Sequence, residues 1–262
     1  MANIRMILND GHREAVLTAT SEAAGLEIEN TQDERRALVW RSEDTSGADA
    51  TDQEITAVMP VTISGLGGMV LSNTNLTTAA TVSVALKNGM TTVDTVALDC
   101  IEENLDGTTT WVAYFEKEDD IDQYALTIDD PTNTDGYLQI VQIMCGPVLT
   151  TEYNPAYGAE MEWSEDVEHY ETDGGTIRSE GTGQHRRRTS INLELVPEAD
   201  RAALVAGLMQ HGQRFPLFLS LYPGNGTSRE AQYQYVCKRL TNIRHQHWTQ
   251  QFFRQGIEFS EC

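Results

Sequence analysis

A mainly β fold is the class this sequence predicts, and the first two of the following observations carry the prediction. Between residues 53 and 150 short runs alternate between apolar and polar side chains, divided by turn residues, and no convincing helix interrupts them. Thr is concentrated between residues 72 and 110, as suits strands with one solvated face. The four cysteines, Cys100, Cys145, Cys237 and Cys262, are widely separated and form no C-x-x-C pair, so they read as thiols of a core rather than as a disulfide framework.

Taken in order, residues 3 to 8 predict an entry strand before a turn at Asn9-Asp10-Gly11. Val16 to Thr20 is a β-prone run, and Ser21 to Glu29 is a small-residue loop expected to touch the structure at Ala24, Leu26 and Ile28. After a polar excursion, Leu38-Val39-Trp40 returns to apolar chain, with the Trp ring expected at a sandwich edge where one side stays wet. Residues 43 to 53 are polar and acidic and read as a surface loop. Ile55 to Met59 and Val61 to Ile63 predict a strand interrupted at Pro60. Gly65-Leu66-Gly67-Gly68 reads as a turn; without a following Lys-Ser/Thr or an amphipathic helix it lacks the parts of a phosphate loop. Thr81 to Leu86 and Thr92 to Ala97 alternate cleanly about Asn88-Gly89, a hairpin signal. Trp111 to Phe115 and Tyr124 to Ile128 follow, across an acidic loop at 116–122.

The stretch from Val16 to Ser42, VLTATSEAAGLEIENTQDERRALVWRS, carries a resemblance. Its L-T-A-T-S-E-A-A-G, E-N-T-Q-D and V-W-R-S segments are similar to the opening of discoidin-like, galactose-binding-like jelly-roll domains found in tail proteins of double-stranded DNA bacteriophages. Gly136 to Ile143, GYLQIVQI, stands where such a domain closes its sandwich. The resemblance implies a jelly-roll β-sandwich over residues 1–147, ending at Gly146-Pro147.

Residues 148–262 predict a second, mostly β domain with one helix. Residues 171–188 are polar and rich in Gly, Thr and Ser, and read as an arm that is mobile in an isolated subunit and orders on assembly. Thr189 to Leu195 alternates as a strand. The helix spans about 197–211, with Pro197 at its start, Glu198 and Asp200 in its first turn, and Ala203, Leu204, Leu208 and Met209 on a shared face. Strands follow at 217–221, 233–240 and 252–259. This order is similar to small β domains of phage tail-tube, distal-tail and hub proteins, a resemblance of element order only.

The formal charge of −22 is unevenly placed: residues 1–150 hold 25 acids against 7 bases, whereas residues 181–262 hold 6 against 10. Such asymmetry suits copies or partners that meet basic surface to acidic surface, and equally a surface that only keeps the chain soluble. Arg186, Arg187 and Arg188 are the candidate assembly residues. They could contact a phosphate backbone, but the net charge opposes approach to nucleic acid, so neutralising an acidic neighbour is favoured.

No G-x-S-x-G or H-E-x-x-H occurs, no Cys sits beside a candidate base and no carboxylate pair stands out, so no catalytic residue and no cofactor is expected. His245-x-His247 beside Trp248 would need a third ligand, and the acidic loops at 116–122 and 129–135 lack the regular calcium-loop spacing, so no metal site is assigned. No run of about 18 apolar residues and no signal-like start appears, so membrane insertion and export are not expected.

The expected protein is a structural component of a phage virion tail, at its distal tail, tip or baseplate. It would form a homo-oligomeric ring with tube, hub and fibre neighbours, and pass through the host cytoplasm during assembly. The alternative is a carbohydrate-binding module for host surface glycans, with Trp40, Trp111, Tyr114 and Tyr124 as available aromatics, although such rings more often fill the core of a sandwich than form a sugar platform. A non-catalytic accessory domain of a carbohydrate-active enzyme is a third expectation.

Overall fold

The computed structural model describes residues 3–8, 11–43, 50–101, 107–118, 120–154, 159–224, 228–247, 249 and 252–262. Asn9, Asp10, Asp119 and Trp248 lie outside the described residues. The protein is mainly β. β1 (Arg5–Leu8) and β2 (Val16–Ala19) precede a 3-10 turn (Ile28–Gln32) and the short β3 (Trp40–Arg41). Then come β4 (Asp52–Ile63), β5 (Leu66–Thr74), β6 (Thr81–Asn88), β7 (Thr91–Ala97), β8 (Asp99–Ile101), β9 (Thr109–Glu118), β10 (Ile121–Asp129) and β11 (Gln139–Thr150). The remainder holds β12 (Glu160–Glu171), β13 (Ile177–Pro197), α1 (Glu198–His211), β14 (Leu217–Ser220), α2 (Ser228–Gln232), β15 (Gln234–Arg239), β16 (His245–His247) and β17 (Phe252–Glu261).

Strands β2-β4-β10-β6-β7 form a five-stranded sheet. The other twelve form one sheet in the order β12-β13-β17-β15-β14-β1-β11-β5-β9-β8, with β16 added to β17 and β3 to β11. Alternation accounts for the first core: Tyr124, Leu126 and Ile128 share a face of β10, with Leu126 in register with Ile55 on one side and Val84 on the other. They meet Leu66, Met69 and Leu71 of β5, Trp111 of β9 and Ile143 of β11, closing a two-layer sandwich. A second core gathers Met6, Leu8, Leu193, Leu219, Phe259 and the α1 residues Leu204 and Leu208. A third, with Ile7, Val70, Val112, Met144, Phe218 and Val236, lies where strands of the large sheet turn their alternate residues the other way.

β1 therefore works in both halves of the chain. It lies between β11 and β14, sending Met6 and Leu8 into the second core and Ile7 into the third. The expected boundary after Pro147 falls inside β11, which runs on to Thr150 and pairs with β1. Pro147 is accommodated because the register to β5 shifts between Gly146 and Pro147, where a missing N–H is least costly.

Several local expectations change. β4 is continuous through Pro60, because β2 pairs with it only up to Val58 and leaves that stretch a free edge. The acidic loop at 116–122 is instead the end of β9, a turn through Asp120 at φ 61°, and the start of β10. Ala24 is exposed and Leu26 half-buried, leaving Ile28 as the loop's anchor. On α1, Ala203 and Met209 are exposed, so the buried stripe is Leu204, Leu208 and His211, while α2 is a second, short helix that periodicity did not announce.

The glycine run divides. Gly65, at φ 73°, makes the turn, whereas Gly67 and Gly68 are buried inside β5. A Cβ on Gly68 would stand 2.8 Å from Val148 Cγ2 and 3.0 Å from Ile7 Cδ1, so the strand needs a residue without a side chain there. Gly68→Ala is expected to cost about 1–3 kcal/mol by overpacking, read from the urea midpoint at unchanged slope. An unchanged midpoint would mean that Val148 and Ile7 yield without cost.

Candidate functional site

The feature that stands apart is the hairpin of β12 and β13. Its register runs from Glu160 opposite Ser190 to Glu171 opposite Ile177. The tip closes with Thr172 N–H donating to Thr176 O at 2.9 Å and Gly175 N–H to Thr172 O at 2.8 Å, with Gly175 at φ 75°. β17 pairs with β13 only from Arg188 to Pro197. Beyond Arg188 the ribbon has two strands, and among the described residues neither outer edge is paired.

Two strands without a third, and without a layer beneath, are marginally stable in water. Trp163, Tyr170 and Ile177 are 43 %, 42 % and 71 % exposed, so the ribbon keeps large apolar groups in solvent. Its own polar pairs are thin: Tyr170 Oη donates to Glu180 Oε1 at 2.8 Å, His169 Nδ1 meets Ser179 Oγ at 2.8 Å, and His185 Nδ1 lies 3.3 Å from Glu165 Oε1. Glu168 stands opposite Glu180, a like-charge pair that works against the ribbon. By sequence β12 carries six acids and no Lys or Arg, whereas residues 177–188 carry Arg178, Arg186, Arg187 and Arg188 against Glu180.

At its base the ribbon is clamped. Glu261, 8 % exposed, accepts from Arg187 Nη2 at 2.7 Å, Arg187 Nε at 2.9 Å, the Arg187 backbone N–H at 2.8 Å and Arg36 Nη2 at 2.6 Å. Burial pushes the Glu261 carboxyl up, but the hydrogen bonds and charges of Arg187 and Arg36 outweigh it and hold the group below its usual range. Arg187 also lies 4.8 Å over the Tyr235 ring and donates to Gln234 O at 3.1 Å. Nearby, Lys238 pairs with Glu34. The sandwich loop holding Glu34 and Arg36 is thus tied to β13, β15 and β17.

Two expectations about this region are corrected. Residues 171–188, expected to order by pairing with a neighbour, are paired with β12 of the same chain. The Arg triplet does not act as one patch, because strand alternation turns Arg187 inward to Glu261 and leaves Arg186 and Arg188 exposed. Glu261 was missed, although Ile257, Phe259 and Glu261 share a strand face and an acid in that series is a signal of a buried ion pair.

The aromatic candidates for a glycan platform are also corrected. Trp40 is fully buried, with Nε1 donating to Ser21 O at 3.3 Å, and Trp111 is buried with Nε1 donating to Thr109 Oγ1 at 3.2 Å. Tyr124 is fully buried, and Tyr114 lies beneath the Arg5 guanidinium at 4.2 Å. None of these rings presents a face to a sugar, because the sandwich needs its largest side chains to fill the space between sheets.

Metal readings gain nothing among the described residues, where no group of three or more His, Cys, Asp and Glu could hold an ion. Asp130 is buried, and its carboxylate accepts from Thr77 N–H at 2.7 Å, Thr77 Oγ1 at 2.6 Å and Thr132 Oγ1 at 3.1 Å, so it is committed to loop structure. His245 and His247 flank Phe253, with ring centroids 6.4 and 4.5 Å away. Among the described residues no helix is long and apolar enough to cross a membrane.

No family model and no curated protein matches this chain. Similar solved structures include a family 32 carbohydrate-binding module from C. perfringens NanJ in complex with galactose. It is 18% identical, with a TM-score of 0.40, covering 53% of this chain and 98% of its own. The lectin domain of lectinolysin complexed with Lewis B antigen is 16% identical, with a TM-score of 0.39, covering 53% of this chain and 96% of its own. Chitosan-binding module 1 from a chitosanase/glucanase of Paenibacillus sp. IK-5 is 14% identical, with a TM-score of 0.35, covering 52% and 97%.

Proposed function

We propose that this chain is a non-catalytic assembly subunit, a structural component of a tailed-phage tail at its distal tail, tip or baseplate. The supporting observation is the ribbon beyond Arg188, which among the described residues has two unpaired edges and carries opposite charge on its two strands. An acidic β12 edge of one copy suits the basic β13 edge of the next, through backbone hydrogen bonds and Arg–carboxylate pairs. Such a contact is head-to-tail, and it closes into a ring when the rotation per subunit divides a full turn. The expected neighbours are other copies and the tube, hub and fibre proteins of a virion, and the expected location is the particle itself.

Native mass spectrometry and electron microscopy of the purified chain are expected to show closed rings. Removing residues 167–181 and joining the strands with a tight turn is expected to leave the melting temperature nearly unchanged and the chain monomeric. Rings that persist without the ribbon tip would overturn the reading, as would absence of the chain from purified particles.

A second reading, binding of host surface glycans by the sandwich, is supported by one feature at its end. Arg41 lies 3.2 Å over the Tyr137 ring, and Asn75 beside them donates to Asp135 Oδ2 and to Tyr137 O, each at 3.0 Å. A half-buried aromatic with a guanidinium and a carboxylate is a set that holds sugar hydroxyls. Glycan-array signals lost in Tyr137→Ala would support it, and flat signals from the unaltered chain would end it.

A further inference from the structure

The five-stranded sheet turns one face to the first core and the other outward, and strand register fixes which residues share the outer face. Its middle rung runs Thr18, Thr56, Ala125, Ala85 and Thr95 across all five strands, without a charge. Thr18 and Thr95 are exposed, Thr56 and Ala85 are half-buried, and Ala125 is shielded by the side chains on either side. Toward one end, Glu54 stands level with Thr127 and Asp52 with Asp129. At the other end, Val16 is paired with Val58, and Gln123 with Lys87.

Two properties of this face favour a cover. Val16 and Val58 lie side by side, 70 % and 47 % exposed, and contact would free that apolar surface of water. The charges are also divided, with the carboxylates of Asp52, Glu54 and Asp129 at one end and the Lys87 ammonium at the other. Among the described residues no ion pair neutralises any of the four. Asp52 and Asp129 are directly opposed, a like-charge pair that costs stability until a cation approaches. Residues 1–150 hold 25 acids against 7 bases, so most of this half repels another copy, whereas the middle of the face does not.

We propose that this outer face packs against the same face of a second copy, as an isologous two-fold contact. With the axis across the strands, the acidic end of each copy lies over the Lys87 end of the other, and Lys87 comes beside Asp129 of the second copy. With the axis along the strands Asp129 would meet Asp129, so charge selects the first arrangement. The short Thr, Ser and Ala side chains of the middle let the two sheets approach closely. Five strands about 4.8 Å apart and a span of about seven residues at 3.3 Å each cover roughly 550 Å² per copy. The total of about 1,100 Å² sits near the lower limit for a specific interface, which makes the pair weak, with a Kd on the order of 0.1 mM. At micromolar concentration the face therefore stays unpaired. The contact is separate from the ribbon and does not rest on the head-to-tail reading.

The test uses the full chain at about millimolar concentration, above that Kd, half of it isotope-labelled, treated with a carbodiimide that joins an amine directly to a carboxylate. Within one copy Lys87 is level with Gln123, so Asp129 lies six residues further along β10, about 20 Å away and beyond a direct link. Mixed-label peptides that join Lys87 to Asp129, Asp52 or Glu54 are expected. Their yield is expected to fall about tenfold in Thr127→Glu, which sets one more carboxylate on the face at an exposed position. An unchanged circular dichroism spectrum identifies that variant as folded. Absence of a mixed-label Lys87 link in the unaltered chain overturns the pairing, as does a link that persists at full yield in Thr127→Glu. Links from Lys87 to carboxylates of β12 overturn it too, since the ribbon of another copy then covers the face.

Discussion

Acidification to about pH 4 is expected to remove roughly 3 kcal/mol of stability through His12 alone. The ring is fully buried, with Nδ1 2.5 Å from Tyr124 Oη and Nε2 2.9 Å from Thr31 Oγ1. Thr31 Oγ1 donates to Ile28 O at 2.6 Å, so it accepts from Nε2–H, and Nδ1 is left to accept from the phenol. A proton on Nδ1 would break that arrangement, and burial lowers the pKa from 6.5 to about 3. The sign follows: above the unfolded value neither state is protonated and stability is full. As pH falls below 6.5 the unfolded chain takes up a proton that the folded chain refuses, until the folded group titrates near 3. Urea titrations between those limits are expected to show a His12-dependent slope approaching 1.4 kcal/mol per pH unit, absent in His12→Gln. Parallel pH profiles for the two proteins would mean that the ring is already reached by solvent.

Glu261→Ala is expected to cost about 3–5 kcal/mol, the cost of breaking a buried pair from one side. The loss comes from Arg187, whose side chain is 17 % exposed and would keep its charge without its carboxylate. Arg36, at 44 % exposed, contributes little of it. The double change Glu261→Ala with Arg187→Ala is expected to recover a large part of the loss, because it leaves no uncompensated charge. Because Glu261 is held below 4.5, its contribution is complete above that value and fades as pH falls through the lower folded value. Between about 4.5 and 6.5 the change that disappears in His12→Gln belongs to His12, which separates it from the Glu261 effect; His245, also lowered by burial, changes in the same window but is untouched by that substitution. Chemical denaturation that finds Glu261→Ala as stable as the unaltered chain would show that the clamp carries no net energy.

Local pattern is what made strands legible. Thr81–Asn88 and Thr91–Ala97 follow from period-2 alternation about Gly89 at φ 56°, and the start of α1 follows from Pro197 with Glu198 and Asp200 behind it. The aromatic candidates show the opposite case: the general tendency of such rings to fill a sandwich core was legible, but not which of them do so. Nothing local to Trp40 or Trp111 distinguishes a ring that fills a sandwich from one that lines its rim, because that depends on the sheet laid across it. The candidate site shows the same division: the polar, glycine-bearing stretch around residues 171–188 was visible as an unusual segment, but its pairing with β12 was not.

By itself the sequence determined that this chain is mainly β, where most strands and the main helix lie, and that its charge is divided between acidic and basic stretches. Those properties depend on neighbours within a few residues, through alternation, turn chemistry and composition. Only the tertiary structure decided that β1 completes the sheet of the second half and that the two halves share one large sheet. It also decided that Arg187 belongs to Glu261, 74 positions away, and that Arg36 reaches the same carboxylate across 225 positions. Partners at such separations are chosen by strand register and burial, which no local window of the chain encodes.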